Sequence, residues 1–394
     1  MAVMDYTDKL NPTAVDLKPS GIRKFFDITE HMDEVISLGV GEPDFQTPWH
    51  IRYAGIASLE NGKTRYTANR GMEALRQEIT RYMERRYRLS YDISEVLVTV
   101  GGSEAIDLAV RALIQPGDEV LIPQPSFVCY EPIVRLAGGI PVIIELKAEN
   151  NFVLTEQQLT EKITDRTKAL VLPFPCNPTG AIMRREDLER IAPVILRHDL
   201  MVISDEIYAE LTYGGERHTS IAELPGMWER TVLISGFSKT YSMTGWRLGY
   251  ALAPAPICSL MTKIHQFAIM SAPTTSQYAA IEALKNGDSD IKNMVEEYDT
   301  RRRLIVDGFR KIGLDCFEPL GAFYVFPCIR STGLSSEEFC EQLLYAKHVA
   351  MIPGTAFGDC GEGFVRASYC YSAEHIKEAL RRTAAFLQER EQKQ

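Results

Sequence analysis

Lys239 closes an apolar run, Thr231-Val232-Leu233-Ile234, within the stretch SGFSKTYSMTGWRLGY (235–250), and Arg247 follows among glycines. A lone lysine is usually solvated at the surface, but one in an apolar turn between two buried strands is less often idle, and its amine is able to form a Schiff base. The arginine's planar fork suits either a structural carboxylate or a phosphate. Asp205 ends LMVISD (200–205), with Tyr208 just beyond it. A carboxylate ending an apolar strand is costly, so it is either bonded to a neighbouring donor or met by a cationic ligand. Gly101-Gly102-Ser103 follows EVLVTV (95–100) and opens the amphipathic stretch EAIDLAVRALI. Such a turn presents free backbone N–H groups and the positive end of a helix dipole to an anion. Alone it is equally a tight turn, since it matches neither GxxxxGK[ST] nor GxGxxG. Asn177 lies in CNPTG (176–180), which alone is a turn signal. Together, an anion cradle, an amine, an arginine, an acid and a phenol describe a holder for pyridoxal 5'-phosphate.

The elements that must position these residues are short apolar runs alternating with amphipathic stretches: EVLVTV, EVLIP (119–123), IPVIIEL (140–146), KALVLPF (168–174), LMVISD, TVLISGF (231–237) and LGYAL (248–252). This pattern predicts an open, largely parallel α/β sheet with helices on both faces. Ligands of such sheets sit outside the carboxyl ends of the strands, where the residues above fall. The last third reads as an α+β module. It has a long helix from about 291 to 312 with Glu296, Glu297 and Arg301 to Arg303 on its outer face, and a hairpin-like pair, LDCFEP and AFYVFP, around Gly321. A helix near 336–346, the strand GFVRASY (363–369) and a helix capped by Ser372 complete it. The expected division is residues 1–48 packing on the smaller module, 49–288 as the large domain and 289–394 as the small one.

The length of 394 residues, with 45% hydrophobic and 24% charged, suits two domains with a substantial core. A net charge of -10 disfavours nucleic acid and anionic membrane as partners and leaves a small molecule as the expected one. MAVMDYTDKLNP lacks the basic start and apolar run of a signal peptide, and no later segment reaches the length of a membrane span, so a cytoplasmic protein is expected. Eight cysteines without a CxxC pair read as reduced thiols, and the dispersed histidines offer no metal-ligand pair.

GFSKTYSMTGWRLG (236–249) resembles, over its full length, the lysine signature of the class I aminotransferases of pyridoxal phosphate fold type I. The resemblance extends in order through LGVGEPDFQTP (38–48), KTRYTANRGMEALR (63–76), VTVGGSEAI (98–106), PFPCNPTG (173–180), SDEIYAEL (204–211), GAFYVFP (321–327), PGTAFG (353–358) and VRASY (365–369). It implies a mostly parallel seven-stranded sheet flanked by helices and a smaller α+β domain. It also implies a homodimer whose sites lie at the subunit interface, working on an amino acid and a 2-oxo acid by a ping-pong mechanism. On the same resemblance Lys239 is the covalent anchor of the cofactor and the proton carrier, and Asp205 pairs with the pyridine nitrogen. Tyr208 and Asn177 bond the ring's phenolic oxygen. Gly102, Ser103, Ser238 and Arg247 hold the phosphate, with Tyr66 reaching across from a second subunit, and Phe127 stacks on the ring. Arg366 grips the substrate's α-carboxylate, with Gly41 and Asn177 lining the same pocket. One departure is Gly236, where many members carry a phosphate-binding serine, and Ser235 is the neighbouring substitute. PSGIRKFFDI (19–28) and GEPDFQTP resemble members acting on aspartate or aromatic amino acids, and also acetyl-diaminopimelate aminotransferases; Arg23 and Lys24 are candidates for a distal carboxylate. A C–S β-lyase uses the same holder. A non-enzymatic ligand-sensing regulator would need a DNA-binding segment, for which the stretch before Pro19 is too short and the charge unsuited.

Overall fold

The computed structural model describes residues 6–19, 21, 22, 32 and 34–392. Arg23 and Lys24 lie outside the described residues.

The first short strand, β1 (Ile36–Ser37), belongs to the smaller module, and the central sheet begins with β2 (Val96–Thr99). It continues through β3 (Glu119–Gln124), β4 (Ile140–Glu145), β5 (Thr167–Leu172), β6 (Met201–Asp205), β7 (Thr231–Gly236) and β8 (Gly249–Leu252). The spatial order is β2-β8-β7-β6-β5-β3-β4. β4, β3, β5, β6 and β7 pair in parallel, whereas β8 runs antiparallel to both β7 and β2. Every residue of β2, β7 and β8 is buried, which is what a continuous apolar run earns when helices cover both faces. Edge strand β4 is largely half-exposed, with no strand beyond it among the described residues. The carboxyl ends of β2, β3, β5, β6 and β7 open on one edge, and β8 starts there.

The smaller module holds β9 (Tyr324–Val325), β10 (Val349–Ala350), β11 (Ile352–Pro353) and β12 (Val365–Ser368). β12 lies between β11 and β9 in an antiparallel sheet, and β1 pairs in parallel with β10. Helices Asp288–Lys311, Ser336–Lys347 and Ala373–Glu391 pack around these strands, with Phe339 edge-on to Phe386 at 5.7 Å. Ser372 caps the last helix, its side chain accepting the His375 N–H. One apolar cluster runs from Leu170 and Leu188 beside the large sheet through Tyr298 and Phe323 to Val349 and Phe386, so both modules share a core.

Two expectations need correction. Arg301 and Arg302 do not lie on the outer face of their helix; both are buried. Asp44 accepts two bonds from Arg301 at 2.8 and 2.9 Å, and Glu297 accepts a third. Arg302 pairs with Asp299 and Glu318. Acids one turn away, together with Asp44 from the N-terminal segment, supply the partners without which buried guanidinium groups would be too costly. The hairpin around Gly321 is reduced to a single bridge, Cys316 to Pro327, because β9 takes β12 as its partner.

Candidate active site

A cavity of about 290 Å³ opens at the carboxyl edge of the large sheet, against the smaller module. Gly41, Gly102, Ser103, Phe127, Asn177, Asp205, Tyr208, Ser238, Lys239, Arg247 and Arg366 all line it, so residues far apart in sequence meet in one place. Tyr66 does not line it; this side chain is 82% exposed on the outer surface. Nor does Ser235, which alternates to the opposite side of β7 and bonds the Glu206 carbonyl at 3.5 Å. Gly236 is tight against the neighbouring strand, where a Cβ would stand 3.0 Å from the Gly249 Cα. No serine therefore reaches the cavity from either position.

The anion end is built by β2 and the helix Gly102–Leu113. Gly101 caps this helix at φ 82°, and among the described residues no side chain caps its first N–H groups, which point outward. A Cβ on Gly101 would lie 2.7 Å from the Arg247 Nη2, so the guanidinium sits directly over this turn. Arg247 itself adopts φ 50° and donates to the Thr244 carbonyl at 2.9 Å. It forms no ion pair among the described residues and is exposed, a cation held in place without a carboxylate. Behind the turn, the Glu104 carboxylate accepts the Val100 N–H and meets the buried His265 Nδ1 at 2.7 Å, which fixes the loop entering the helix.

The acid end lies at the tip of β6. Asp205 is buried and none of the ion pairs among the described residues includes it. Its Oδ2 accepts from the Tyr130 hydroxyl at 2.7 Å and its Oδ1 from the Ile207 N–H at 3.2 Å. Burial raises its pKa, and the Tyr130 bond only partly opposes this. The carboxylate is thus costly as it stands and would be relieved by a cationic N–H. Lys239 stands in the four-residue helical turn after β7, where Nζ donates to the Gly41 carbonyl at 2.7 Å and lies 5.7 Å from the Phe323 ring. Burial lowers its pKa to about 8; Cys370 and Glu42 oppose this, and repulsion from Arg366 and Arg247 adds to it.

On the far side, β12 carries Arg366, 2% exposed. Its Nη1 donates to the Asn177 Oδ1 at 2.9 Å and its Nη2 to the Gly39 carbonyl, while Nε is buried without a partner. The guanidinium lies between the rings of Tyr324 (4.5 Å) and Phe357 (4.8 Å). No carboxylate neutralises it among the described residues, so the site holds a buried cation aimed at a cavity. Sequence reasoning missed Tyr130 and Tyr324. Tyr130 follows Phe127 by three residues and touches it edge-on at 6.3 Å, and this i,i+3 aromatic pair at a helix start was the available signal. Tyr324 lay inside the quoted GAFYVFP without a role, yet its hydroxyl bonds that of Tyr208 at 2.9 Å.

The sequence profile of the family Aminotransferase class I and II matches residues 33–382. This chain belongs to that family. The YugH protein of Bacillus subtilis (strain 168) is 52% identical over 382 residues, covering 97% of this chain and 99% of that protein. The aspartate aminotransferase of Pyrococcus abyssi (strain GE5 / Orsay) is 44% identical over 393 residues, covering 99% of each. Among solved structures, the aromatic aminotransferase of Pyrococcus horikoshii OT3 superposes with a TM-score of 0.90 at 44% identity, covering 93% of this chain and 99% of that one. This class I and II aminotransferase is accordingly a pyridoxal phosphate-dependent transaminase of fold type I. Its cavity fits the cofactor on three counts: a helix start and a free arginine for the phosphate, a buried unpaired carboxylate for a protonated ring nitrogen, and a desolvated amine for the aldehyde carbon.

Proposed function

We propose that this aminotransferase moves an amino group from aspartate, glutamate or an aromatic amino acid to 2-oxoglutarate in a ping-pong cycle. The observation that carries the reading is Arg366, a buried guanidinium lining the same cavity as Lys239, with an unpartnered Nε and no carboxylate among the described residues. Such a fork suits the α-carboxylate common to amino acid and 2-oxo acid. The names of the aspartate and aromatic relatives support the two donor classes.

On this reading Gly102, Ser103, Ser238 and Arg247 hold the cofactor phosphate, and Phe127 covers one ring face. Asp205 keeps the ring nitrogen protonated, with Tyr130 fixing the carboxylate. Tyr208 and Asn177 meet the phenolic oxygen, and Asn177 also orients Arg366. The bound cofactor supplies an electron sink for charge developing at the substrate α-carbon. Lys239 takes the proton from that carbon and returns it on the cofactor side, a task for which an amine lowered by burial to about 8 is suited. Gly41 closes the carboxylate end of the pocket.

The same reading includes a cytoplasmic homodimer. Trp49, Tyr53, Ile56 and Leu59 form an exposed stripe at 3–4-residue spacing along the helix Trp49–Glu60, and Phe267 is 81% exposed. A second copy would cover this surface and receive the partner's Tyr66 at its phosphate. No helix of the described residues is long and apolar enough to cross a membrane. Residues 49–288 form the cofactor domain and 289–394 the small domain in this reading; of the N-terminal segment, Ile36–Ser37 joins the small domain through β10, whereas the helix Pro12–Val15 lies against Tyr130–Leu136 of the large domain.

Mixing the holoenzyme with single amino acids and following the cofactor's visible absorbance tests the proposal. Aspartate, glutamate or an aromatic amino acid is expected to bleach the band, and 2-oxoglutarate to restore it. Bleaching by none of these donors would refute the substrate assignment, and pyruvate release from cystathionine without an acceptor would favour a C–S lyase.

A further inference from the structure

We infer that Tyr324 is a positioning residue that strengthens the hydrogen bond Tyr208 gives to the cofactor's phenolic oxygen. The inference rests on the role proposed for Tyr208. The two phenols face each other at the back of the cavity, oxygens 2.9 Å apart and rings edge-on at 5.9 Å, both buried. Either oxygen could donate, but their surroundings differ. The Arg366 guanidinium lies 4.5 Å over the face of Tyr324, and a cation there favours negative charge on that phenol's oxygen. Burial pushes both hydroxyls above their ordinary value and the charge of Arg366 opposes this at both; at Tyr324 it is the main opposing cause, and that phenol rises only to about 12. Tyr324 is therefore the stronger acid and the natural donor. Tyr208 accepts through its oxygen, which frees its own proton for the cavity. A hydroxyl that accepts one bond gives a stronger one, by roughly 10–30%.

The position of this donor is enforced from two sides. A Cβ on Gly41 would stand 2.3 Å from the Tyr324 hydroxyl, so the backbone of LGVGEP is pressed against it. Phe323 packs against Tyr208 edge-on at 5.4 Å and against Tyr324 at 4.8 Å, which leaves the phenols little room to part. Arg366, Tyr324 and Tyr208 thus form a line from the carboxylate end of the cavity to its ring-oxygen end.

A donor to the ring oxygen favours that oxygen's charged form, so weakening the donor raises the pH midpoint of the bound cofactor's visible band. Tyr208→Phe is expected to raise it by about one to two pH units, the worth of a hydrogen bond to a charged group. Tyr324→Phe is expected to raise it by about 0.2–0.5 unit, the fraction that the second phenol contributes. The deciding experiment is a double-mutant cycle on the holoenzyme, titrated by absorbance. The effect of Tyr324→Phe vanishes in the Tyr208→Phe background if Tyr324 acts through Tyr208. Gly41→Ala, which displaces the hydroxyl while keeping the ring, provides a second variant and is expected to give the same upward, Tyr208-dependent shift. An unmoved midpoint in both variants, or an equal shift with and without Tyr208, overturns the inference while leaving the cofactor assignment intact. A wild-type protein without any visible band would overturn the reading beneath it as well.

Discussion

Removing the cofactor and returning it across a range of pH isolates the chemistry of Lys239. Only the neutral amine attacks the cofactor's aldehyde, so the capture rate follows the neutral fraction. Burial brings this amine from 10.5 to about 8. At pH 7 the neutral fraction is then about 9%, against about 0.03% for an ordinary lysine, roughly a 300-fold advantage. Stopped-flow absorbance of the cofactor-free protein mixed with pyridoxal phosphate measures it directly. The rate is expected to climb about tenfold per pH unit up to pH 7 and to level off just above 8, while a free lysine derivative continues rising toward 10.5. A protein whose capture rate still climbed tenfold per unit beyond pH 9.5 would show that the cavity does not desolvate the amine, and the argument would fail.

Stability of the cofactor-free protein follows from the same shift. The unfolded chain holds the Lys239 proton more strongly than the folded one, so the penalty is full below pH 8 and fades between 8 and 10.5. Lys239→Met is therefore expected to stabilise this form by roughly 2 kcal/mol at pH 7, with the gain shrinking by pH 10 in urea melts. Arg366→Lys breaks the fork that holds Asn177 and is expected to lower kcat/KM about 100-fold for every amino acid donor, some 3 kcal/mol, while the visible band of the bound cofactor stays. Gly101→Ala adds a Cβ at φ 82° and 2.7 Å from the Arg247 Nη2; equilibrium dialysis is expected to show at least tenfold weaker binding of pyridoxal phosphate, with far less change for pyridoxal. Trp49→Asp is expected to shift the protein toward monomer in sedimentation and to reduce activity with it, as an interface lined by the exposed stripe requires.

The cofactor end of the site was legible because each residue there terminates a buried strand, and strands declare themselves as apolar runs. Lys239, Asp205 and Gly101 to Ser103 could be placed at one sheet edge from that rule alone. Whether Asp205 meets a neighbouring donor or a cationic ligand was left open by its sequence, and Tyr130 answers the first half of it: a neutral donor is present. Arg366 is a different case, since it sits inside a strand of the smaller module and only the resemblance brought it to the cavity. Arg301 and Arg302 misled because helical spacing reports which residues share a face, and not whether Asp44 or Glu318 waits on the buried side. The Tyr208–Tyr324 contact depends on how two modules close on each other, which no local pattern encodes.

The reversal of β8 against β7 also bears on how such a site can change over time. Because the chain turns back at the sheet edge, Ser238, Lys239 and Arg247 are all delivered by one short connection, and Gly236 and Gly249 sit opposite each other at its base. A right-handed crossover to a parallel neighbour would have sent the arginine around a helix to the other end of the next strand. That part of the proposed grip on the cofactor is consequently a local property of one segment, while Gly102, Ser103, Asp205 and Tyr208 come from other strand ends and Arg366 and Tyr324 from the C-terminal third. Exchanging that third between related chains would replace the carboxylate end of the pocket while leaving most of the inherited cofactor holder in place.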